Sequence, residues 1–202
     1  MTTLQRPTRE VVLRTLSHEL NTALTIVLGN IRILGSGGGE IDGATRQTAF
    51  HDLEEQAERL HLAIQNLLLM ERLGIGEQPL LEPVVLSRLL EQIVITECRR
   101  GGCHEIVNEG TRVDPVSIDR ELFKVVLTNL VDNACLYSPP GMRVWVRTSQ
   151  DETHALVTVL DEGPGLDEQE LFLIFEPYYR SSSRVPAVIP GLGIGLTVAK
   201  KI

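Results

Sequence analysis

Two long amphipathic stretches near the N-terminus restrict the possible folds more than any other feature of this sequence. Apolar residues recur at steps of three and four over residues 11–34, which is the spacing of one helix face. These positions are Leu13, Leu16, Leu20, Leu24, Val27, Ile31 and Leu34. Glycines 37–39 should end this helix, because glycine loses more backbone entropy on folding than any other residue. A second stripe predicts another helix ending near Leu73 and Gly74, with Leu53, Ala57, Leu60, Ile64 and Leu67 on its apolar face.

A hairpin of two such helices has only one shared seam, so part of each apolar face would stay in contact with water. Pairing two hairpins into a four-helix bundle buries these faces. We therefore predict a homodimer. The sequence leaves one alternative open, in which the hairpin packs against the rest of its own chain.

Composition limits the partners and the location. The chain has 202 residues, and its 19 basic and 27 acidic residues give a net charge of −8. This balance argues against binding to nucleic acid or to an anionic membrane surface, since both need clustered cations. No apolar run approaches the roughly 20 residues of a membrane span. The odd number of cysteines without a C-x-x-C pattern favours three buried thiols over a disulfide framework. We expect a cytoplasmic location, with room for a sensor or membrane part outside this sequence.

The second half of the sequence predicts a mixed α+β domain. Residues 78–83 break the helical pattern and are expected to form a linker, followed by a helix over 86–98 and strands near 105–108 and 116–118. Asp119 should cap a helix that runs to about Tyr137. The predicted inward positions of that helix are Leu122, Val125, Val126, Leu130 and Ala134. A β-hairpin over 142–149 and 155–160 follows, which gives a mixed sheet with helices on one face.

Several polar and glycine-rich positions carry candidate chemistry. Asn129 and Asn133 lie one turn apart on a single helix, where their amide oxygens could face a cation and phosphates. Glycine-rich loops at 161–165 and 191–196 would let the backbone approach a polyphosphate closely, although neither fits a dinucleotide fingerprint or a Walker motif. His18 falls off the first apolar stripe and should point to water, with Glu19 beside it and Thr22 one turn later.

Five segments, in this order, resemble the sequence boxes of the sensor histidine kinases of two-component signalling. They are SHELNTALT at 17–25 (phosphoacceptor box), NLVDNA at 129–134 (N box), DEGPG at 161–165 (first glycine box), FEPYYR at 175–180 (F box) and GLGIGL at 191–196 (second glycine box). The resemblance implies a dimerisation and histidine-phosphotransfer hairpin in residues 1–76. It also implies a catalytic ATP-binding domain of the GHKL type, an α/β sandwich, in residues 77–202.

The resemblance further assigns a reaction to the hairpin. ATP would phosphorylate His18, whose neutral ring nitrogen attacks while Glu19 orients the ring and takes its proton. The phosphoryl group would then pass to an aspartate of a response regulator. Thr22 resembles the residue that positions water for dephosphorylation of the regulator.

By the same resemblance, the second domain would hold ATP and Mg²⁺. Asp161 would accept a hydrogen bond from the adenine amino group, and Asn133, assisted by Asn129, would hold Mg²⁺ against the phosphates. Tyr137 would line the nucleotide pocket, and Arg180 could reach the γ-phosphate. The remaining nucleotide contacts would come from the loop glycines Gly163, Gly165, Gly191, Gly193 and Gly195, and residues 181–190 would form the ATP lid.

Three departures from the family pattern bear on these expectations. Leu136 stands where the family often has a basic residue, and Ala23 replaces a common proline. The sequence ends at Ile202, where the family normally adds two further strands, so we expect a truncated ATP-binding domain with an unpaired sheet edge.

Two other functions remain open at this point. The first is a dimeric phosphotransfer protein that relays phosphate through His18, with a degenerate ATP-binding-like domain for docking. Leu136 and the short C-terminus favour this alternative, whereas Asp161 and both asparagines oppose it. The second, a GHKL ATPase of the chaperone or mismatch-repair kind, would leave His18 and Glu19 without a role.

Overall fold

The computed structural model describes residues 9–35, 41–74, 78–99, 105–111, 113, 115–181 and 192–202. The side chains of residues 9–16, 18, 19, 97 and 99 lie outside this description. The chain separates into two compact units, with the main division between Leu68 and Leu69. The domain boundary predicted at 76/77 falls in residues 75–77, outside the described residues, and stays a prediction.

The first unit is a helical hairpin, as the two apolar stripes predict. Helix α1 spans Arg9–Gly35 and helix α2 spans Gly43–Gly74. Asp42 precedes α2 and its Oδ1 accepts a hydrogen bond from the Thr45 amide at 2.7 Å, which satisfies one of the free amide groups at the helix start. In a single chain, Leu24 and Ile31 on the α1 stripe are 49% and 51% exposed. The apolar face of the hairpin is therefore only partly covered by its own chain.

The second unit is an α+β fold with a mixed sheet. Its elements, in chain order, are β1 (Glu82–Val84), α3 (Leu86–Arg99), β2 (Glu105–Gly110), β3 (Val116–Ile118), α4 (Arg120–Tyr137), β4 (Arg143–Gln150), β5 (Ala155–Leu160) and α5 (Gly195–Lys201). The main sheet has the order β2-β4-β5, with β2 parallel and β5 antiparallel to β4. Strands β1 and β3 form a separate antiparallel pair. Within the described residues β5 pairs on one side only, and its Leu156 is 58% exposed.

Helix α4 organises this unit and begins where the sequence predicts. Asp119 caps it, because its Oδ1 accepts a hydrogen bond from the Leu122 amide at 3.0 Å. The predicted inward face is partly wrong. Val126 and Ala134 are buried as predicted, but Leu127 and Val131 are buried as well, whereas Leu122, Val125 and Leu130 are only half-buried. The reason is that α4 contacts α3, α5, β4 and β5, so its buried face is wider and rotated from a simple stripe.

One strand lies partly where a linker was predicted. Residues 82–84 form β1, which pairs in register with β3 so that Pro83 lies opposite Ser117. Proline lacks an amide donor, but it is tolerated in a short two-stranded edge pair. Nearby, the Leu80 amide donates to the second carboxylate oxygen of Asp119 at 2.8 Å. This segment is thus tied to the start of α4.

None of the described helices is long and apolar enough to cross a membrane. Among the described residues, neither Cys98 nor Cys135 forms a disulfide, but the prediction that the thiols are buried is wrong for Cys98, which is exposed, while Cys135 is half-buried.

Candidate active site

The predicted phosphoacceptor lies in the first half of α1. The backbone at His18 and Glu19 is helical, but their side chains are outside the described residues. The expectation that His18 faces water therefore stays a prediction. Thr22 lies one turn further along α1 and is exposed.

The N segment, residues 129–134, lies in the middle of α4. Asn129 is buried and 6% exposed, while Asn133 is half-buried one turn later. The side chain of Asn133 makes no hydrogen bond to another described residue. A Cβ atom on Gly195 would lie 2.8 Å from Asn129 Oδ1 and 3.1 Å from its Cγ. The start of α5 thus packs directly onto Asn129, which a larger residue at 195 would disturb.

The first glycine loop, residues 161–165, follows the end of β5. Asp161 is exposed, and its Oδ1 accepts a hydrogen bond from the Gly163 amide at 2.8 Å. A Cβ atom on Gly163 would lie 3.0 Å from the carbonyl oxygen of Tyr137, the last residue of α4. The close approach at Gly163 therefore brings Asp161 near the backbone carbonyl of Tyr137. Gly165 has a φ of +72°, a conformation that glycine adopts at little cost.

The second glycine loop, residues 191–196, contacts the F segment, residues 175–180. The Tyr178 amide donates to the Gly193 carbonyl at 2.8 Å. Gly193 has a φ of +64°, and a Cβ atom there would lie 2.8 Å from the Tyr179 carbonyl oxygen. Both the conformation and the close approach require glycine at this position. Gly191 lies outside the described residues.

The F segment is tied to α5 by a second contact. Lys200 Nζ lies over the Phe175 ring, 5.3 Å from its centroid, in cation–π geometry. Arg180, half-buried, ends the F segment directly after Tyr179. The predicted ATP lid, residues 181–190, lies outside the described residues from 182 onwards.

Sequence reasoning missed a contact between two side chains that lie next to these loops, Glu170 and Tyr179. Glu170 is buried, and its Oε1 accepts a hydrogen bond from the Tyr179 hydroxyl at 3.2 Å. Burial raises the pKa of Tyr179 above its ordinary value, and the bond to Glu170 adds to this rise. Burial also raises the pKa of Tyr178. The sequence gives no local signal for the Glu170 contact, because the two residues belong to different segments.

The side chains at these loops suit the binding of a nucleotide together with Mg²⁺. Asp161 offers an exposed carboxylate, which can only accept hydrogen bonds and so suits an exocyclic amino group. Asn133 offers an amide oxygen, a ligand type that Mg²⁺ takes in proteins. The contacts at Gly163, Gly193 and Gly195 hold the loops against α4 and the F segment. The site can therefore offer the Asp161 carboxylate as a hydrogen-bond acceptor and the Asn133 amide oxygen as a metal ligand, both on backbone that is held in place by these contacts.

Comparison with family models matches the two predicted regions separately. Residues 8–76 match the His Kinase A (phospho-acceptor) domain. Residues 118–202 match the histidine kinase-, DNA gyrase B- and HSP90-like ATPases. The first match contains His18, and the second contains the N segment and both glycine loops. These matches confirm the histidine kinase resemblance and the α+β fold class with its helical hairpin.

Individual relatives agree with these matches. The chain is 33% identical over 196 residues to the histidine-protein kinase/phosphatase MprB of Mycobacterium bovis, covering 92% of this chain and 37% of that protein. It is 29% identical over 199 residues to the sensor protein KdpD of Clostridium acetobutylicum, covering 96% of this chain and 22% of that protein. The chain thus spans well under half the length of these curated relatives.

A solved structure adds to this agreement. A mycobacterial sensor histidine kinase MprB shares 34% identity with the chain at a TM-score of 0.54, over 60% of this chain and 77% of that one. Since more than two thirds of that structure is matched at this identity and both family models occur in the expected order, the chain belongs to the sensor histidine kinases.

Proposed function

We propose that this chain is an ATP-dependent, autophosphorylating protein histidine kinase that phosphorylates His18. One observation carries the proposal: a phosphoacceptor-domain match containing His18 and an ATPase-domain match containing Asp161 occur in the same chain. A GHKL ATPase of another class would have no use for the first match. We also propose the division into residues 1–76 for phosphotransfer and dimerisation and residues 77–202 for ATP binding.

The nucleotide would be held from both ends. Asp161 accepts a hydrogen bond from the adenine amino group, and Tyr137, drawn close through Gly163, lines the base pocket. Asn133, with Asn129 beside it, holds Mg²⁺, and Arg180 reaches the γ-phosphate. The glycines of both loops, Gly191 included, allow backbone amides to approach the phosphates. Mg²⁺ held there would supply positive charge that offsets the charge of the phosphates.

His18 and Glu19 carry out the acceptor side of the phosphoryl transfer. A neutral ring nitrogen of His18 has the lone pair needed to attack the γ-phosphorus. Glu19 orients the ring and accepts the proton from the other nitrogen. The bond from the γ-phosphorus to the bridging oxygen breaks as the bond to nitrogen forms, and ADP leaves. Since the transition state is loose, alignment and charge neutralisation supply the rate.

The partners follow from the hairpin. We propose a homodimer, supported by the half-exposed apolar stripe of α1, whose burial in a four-helix bundle would be favourable. The phosphohistidine would pass its phosphoryl group to an aspartate in the receiver domain of a response regulator. We also propose a cytoplasmic location. Since the chain spans only 37% and 22% of the matched relatives, we propose that it acts as part of a larger sensor protein.

A labelling experiment separates the kinase from a phosphorelay protein. The wild-type chain is incubated either with γ-labelled ATP and Mg²⁺ or with a receiver domain already carrying labelled phosphate. We expect label on the chain from ATP alone. A chain that takes label only from the phosphorylated receiver domain would contradict the kinase proposal and support the relay, which Leu136 in place of a basic residue favours.

Replacing Asp161 by alanine should weaken ATP binding at least about tenfold, since a hydrogen bond to a charged group contributes about 1.5–3 kcal/mol. Displacement of a fluorescent ATP analogue measures this affinity. The neighbouring Glu162 accepts instead from the Arg143 amide at 2.8 Å, so Glu162→Gln is the matched control and should bind ATP normally. Equal affinity of Asp161→Ala and wild type would refute the adenine contact.

Replacing Thr22 by alanine should leave autophosphorylation within about twofold of wild type and reduce regulator dephosphorylation about a hundredfold, since a misplaced reactant can slow a reaction by about that factor. Release of phosphate from a labelled regulator measures the second activity. Thr25→Ala is the control, because the Thr25 hydroxyl bonds back to the Asn21 carbonyl within α1 at 2.7 Å. If both activities fell together in Thr22→Ala, its phosphatase role would be wrong.

A further inference from the structure

Glu170 is a buried carboxylate that joins two segments of the ATP-binding region. It is 8% exposed, and acidic side chains are rarely buried without partners. Its Oε2 accepts a hydrogen bond from the Asp167 amide, two residues after the first glycine loop, at 3.2 Å. Its Oε1 accepts from the Tyr179 hydroxyl in the F segment at 3.2 Å. One side chain thus connects the exit of the first glycine loop to the F segment.

The backbone around Glu170 leads into the same segment. The Glu170 carbonyl accepts from the amides of Leu173 and Ile174, at 2.8 Å and 3.0 Å, so tight turns run from Glu170 towards the F segment. The Glu170 backbone therefore binds the start of the stretch 173–179, and its carboxylate binds the end of that stretch. Burial and the contact with Glu170 raise the pKa of Tyr179, so its hydroxyl keeps its proton and remains a donor at neutral pH.

The F segment in turn holds the second glycine loop. Tyr178 has a backbone φ of +65°, a value that residues other than glycine rarely adopt. Its amide donates to the Gly193 carbonyl at 2.8 Å. Gly193 packs against the Tyr179 carbonyl closely enough to exclude a Cβ atom. The positions of the Tyr179 hydroxyl and of the Gly193 turn therefore both depend on the backbone of Tyr178 and Tyr179.

We propose that Glu170 is a positioning residue for the phosphate end of the nucleotide site. It holds Tyr179, and through Tyr179 it fixes the positions of Arg180 and of the second glycine loop. The inference rests on the proposed function, in which these groups face the phosphates. The adenine end depends instead on Asp161, whose loop is held by its own bond to the Gly163 amide. Loss of Glu170 should therefore affect phosphate recognition and spare adenine recognition.

The test measures the binding of ATP and of adenosine to the full chain by displacement of a fluorescent ATP analogue in the presence of Mg²⁺. Glu170→Ala should weaken ATP binding about tenfold, the lower range for a lost hydrogen bond to a charged group. Adenosine binding should stay within about twofold, since it lacks the phosphates. Exposed Glu168 lies in the same turn, and Glu168→Ala should bind both ligands as wild type does.

Two further variants identify Tyr179 as the intermediary. Tyr179→Phe should also weaken ATP binding. The double variant with Glu170→Ala should be no weaker than Glu170→Ala alone, because the bond that Tyr179→Phe removes is already absent when residue 170 is alanine. Glu170→Gln should recover most of the affinity, since its amide oxygen can accept from the Asp167 amide while its NH₂ group donates to the Tyr179 hydroxyl.

Two results would overturn the inference: ATP affinity unchanged in Glu170→Ala, or ATP and adenosine affinities reduced in the same proportion. The second result would mean that Glu170 only stabilises the domain. A wild-type chain that bound no ATP would refute the proposed function as well, and this is seen before any variant is compared.

Discussion

Replacing His18 by glutamine should reduce labelling from γ-labelled ATP to background, at least about a thousandfold below wild type, because removing a nucleophile removes the reaction itself. Glutamine is a good helix former of similar length, so α1 and the dimer should survive. Phosphate transfer is measured on the intact protein under alkaline conditions, in which a phosphoramidate bond is stable.

The controls for this variant lie on the other helix of the hairpin. His51 and His61 are exposed on α2, and His51→Gln and His61→Gln should both label as wild type does. Size-exclusion chromatography of His18→Gln should still give a dimer. Label retained on His18→Gln would place the phosphoacceptor elsewhere and contradict the proposed reaction.

The second large effect is expected at Gly193. A residue with a Cβ atom at its φ of +64° costs about 1–2 kcal/mol, and the contact 2.8 Å from the Tyr179 carbonyl adds a further clash. Gly193→Ala should move the second glycine loop away from the F segment, and ATP binding would have to restore the original geometry against that strain. We expect about a hundredfold loss of ATP affinity, as about 2.8 kcal/mol of strain would give.

Gly141 provides a matched control outside the site. Its φ is +85°, in the turn before β4, but a Cβ atom there would meet open space. Gly141→Ala therefore carries the conformational cost without the clash. It should lower the free energy of unfolding by about 1 kcal/mol and leave ATP affinity unchanged. Equal ATP affinities of Gly193→Ala and Gly141→Ala would mean that the close approach at Gly193 has no role in binding.

Local sequence signals predict the elements that depend on neighbouring residues. The cap at Asp119 needs only an acceptor side chain three residues before the Leu122 amide, and the structure confirms it. The β4–β5 hairpin is likewise predicted by two alternating runs around a polar turn, and its observed strands differ from the prediction by one residue at most.

Features that depend on distant residues are not predictable in this way. Strand β1 exists because it meets β3, and its short sequence with Pro83 in the middle resembles a linker on its own. The buried face of α4 was misplaced for the same reason, since its neighbours come from both ends of the domain. A single helix pattern does not contain that information.

The candidate site shows the same limit. The sequence predicts which glycines matter by their resemblance to phosphate loops, but it does not reveal that Gly193 and Gly195 are packed against Tyr179 and Asn129. These contacts join segments far apart in the chain. The bond between Glu170 and the Tyr179 hydroxyl joins residues only nine positions apart, but no local pattern predicts it, because it depends on the turns between them.

The most direct test of transfer from bound ATP to His18 is to locate the phosphate. The wild-type chain is incubated with ATP and Mg²⁺, digested with trypsin at alkaline pH, and analysed by mass spectrometry. Cleavage after Arg14 and Arg32 gives the peptide 15–32, in which His18 is the only histidine. We expect the phosphate on His18 in this peptide, and none when Mg²⁺ is removed by a chelator. Phosphate on the α2 peptides that contain His51 or His61, or on no histidine at all, would contradict it.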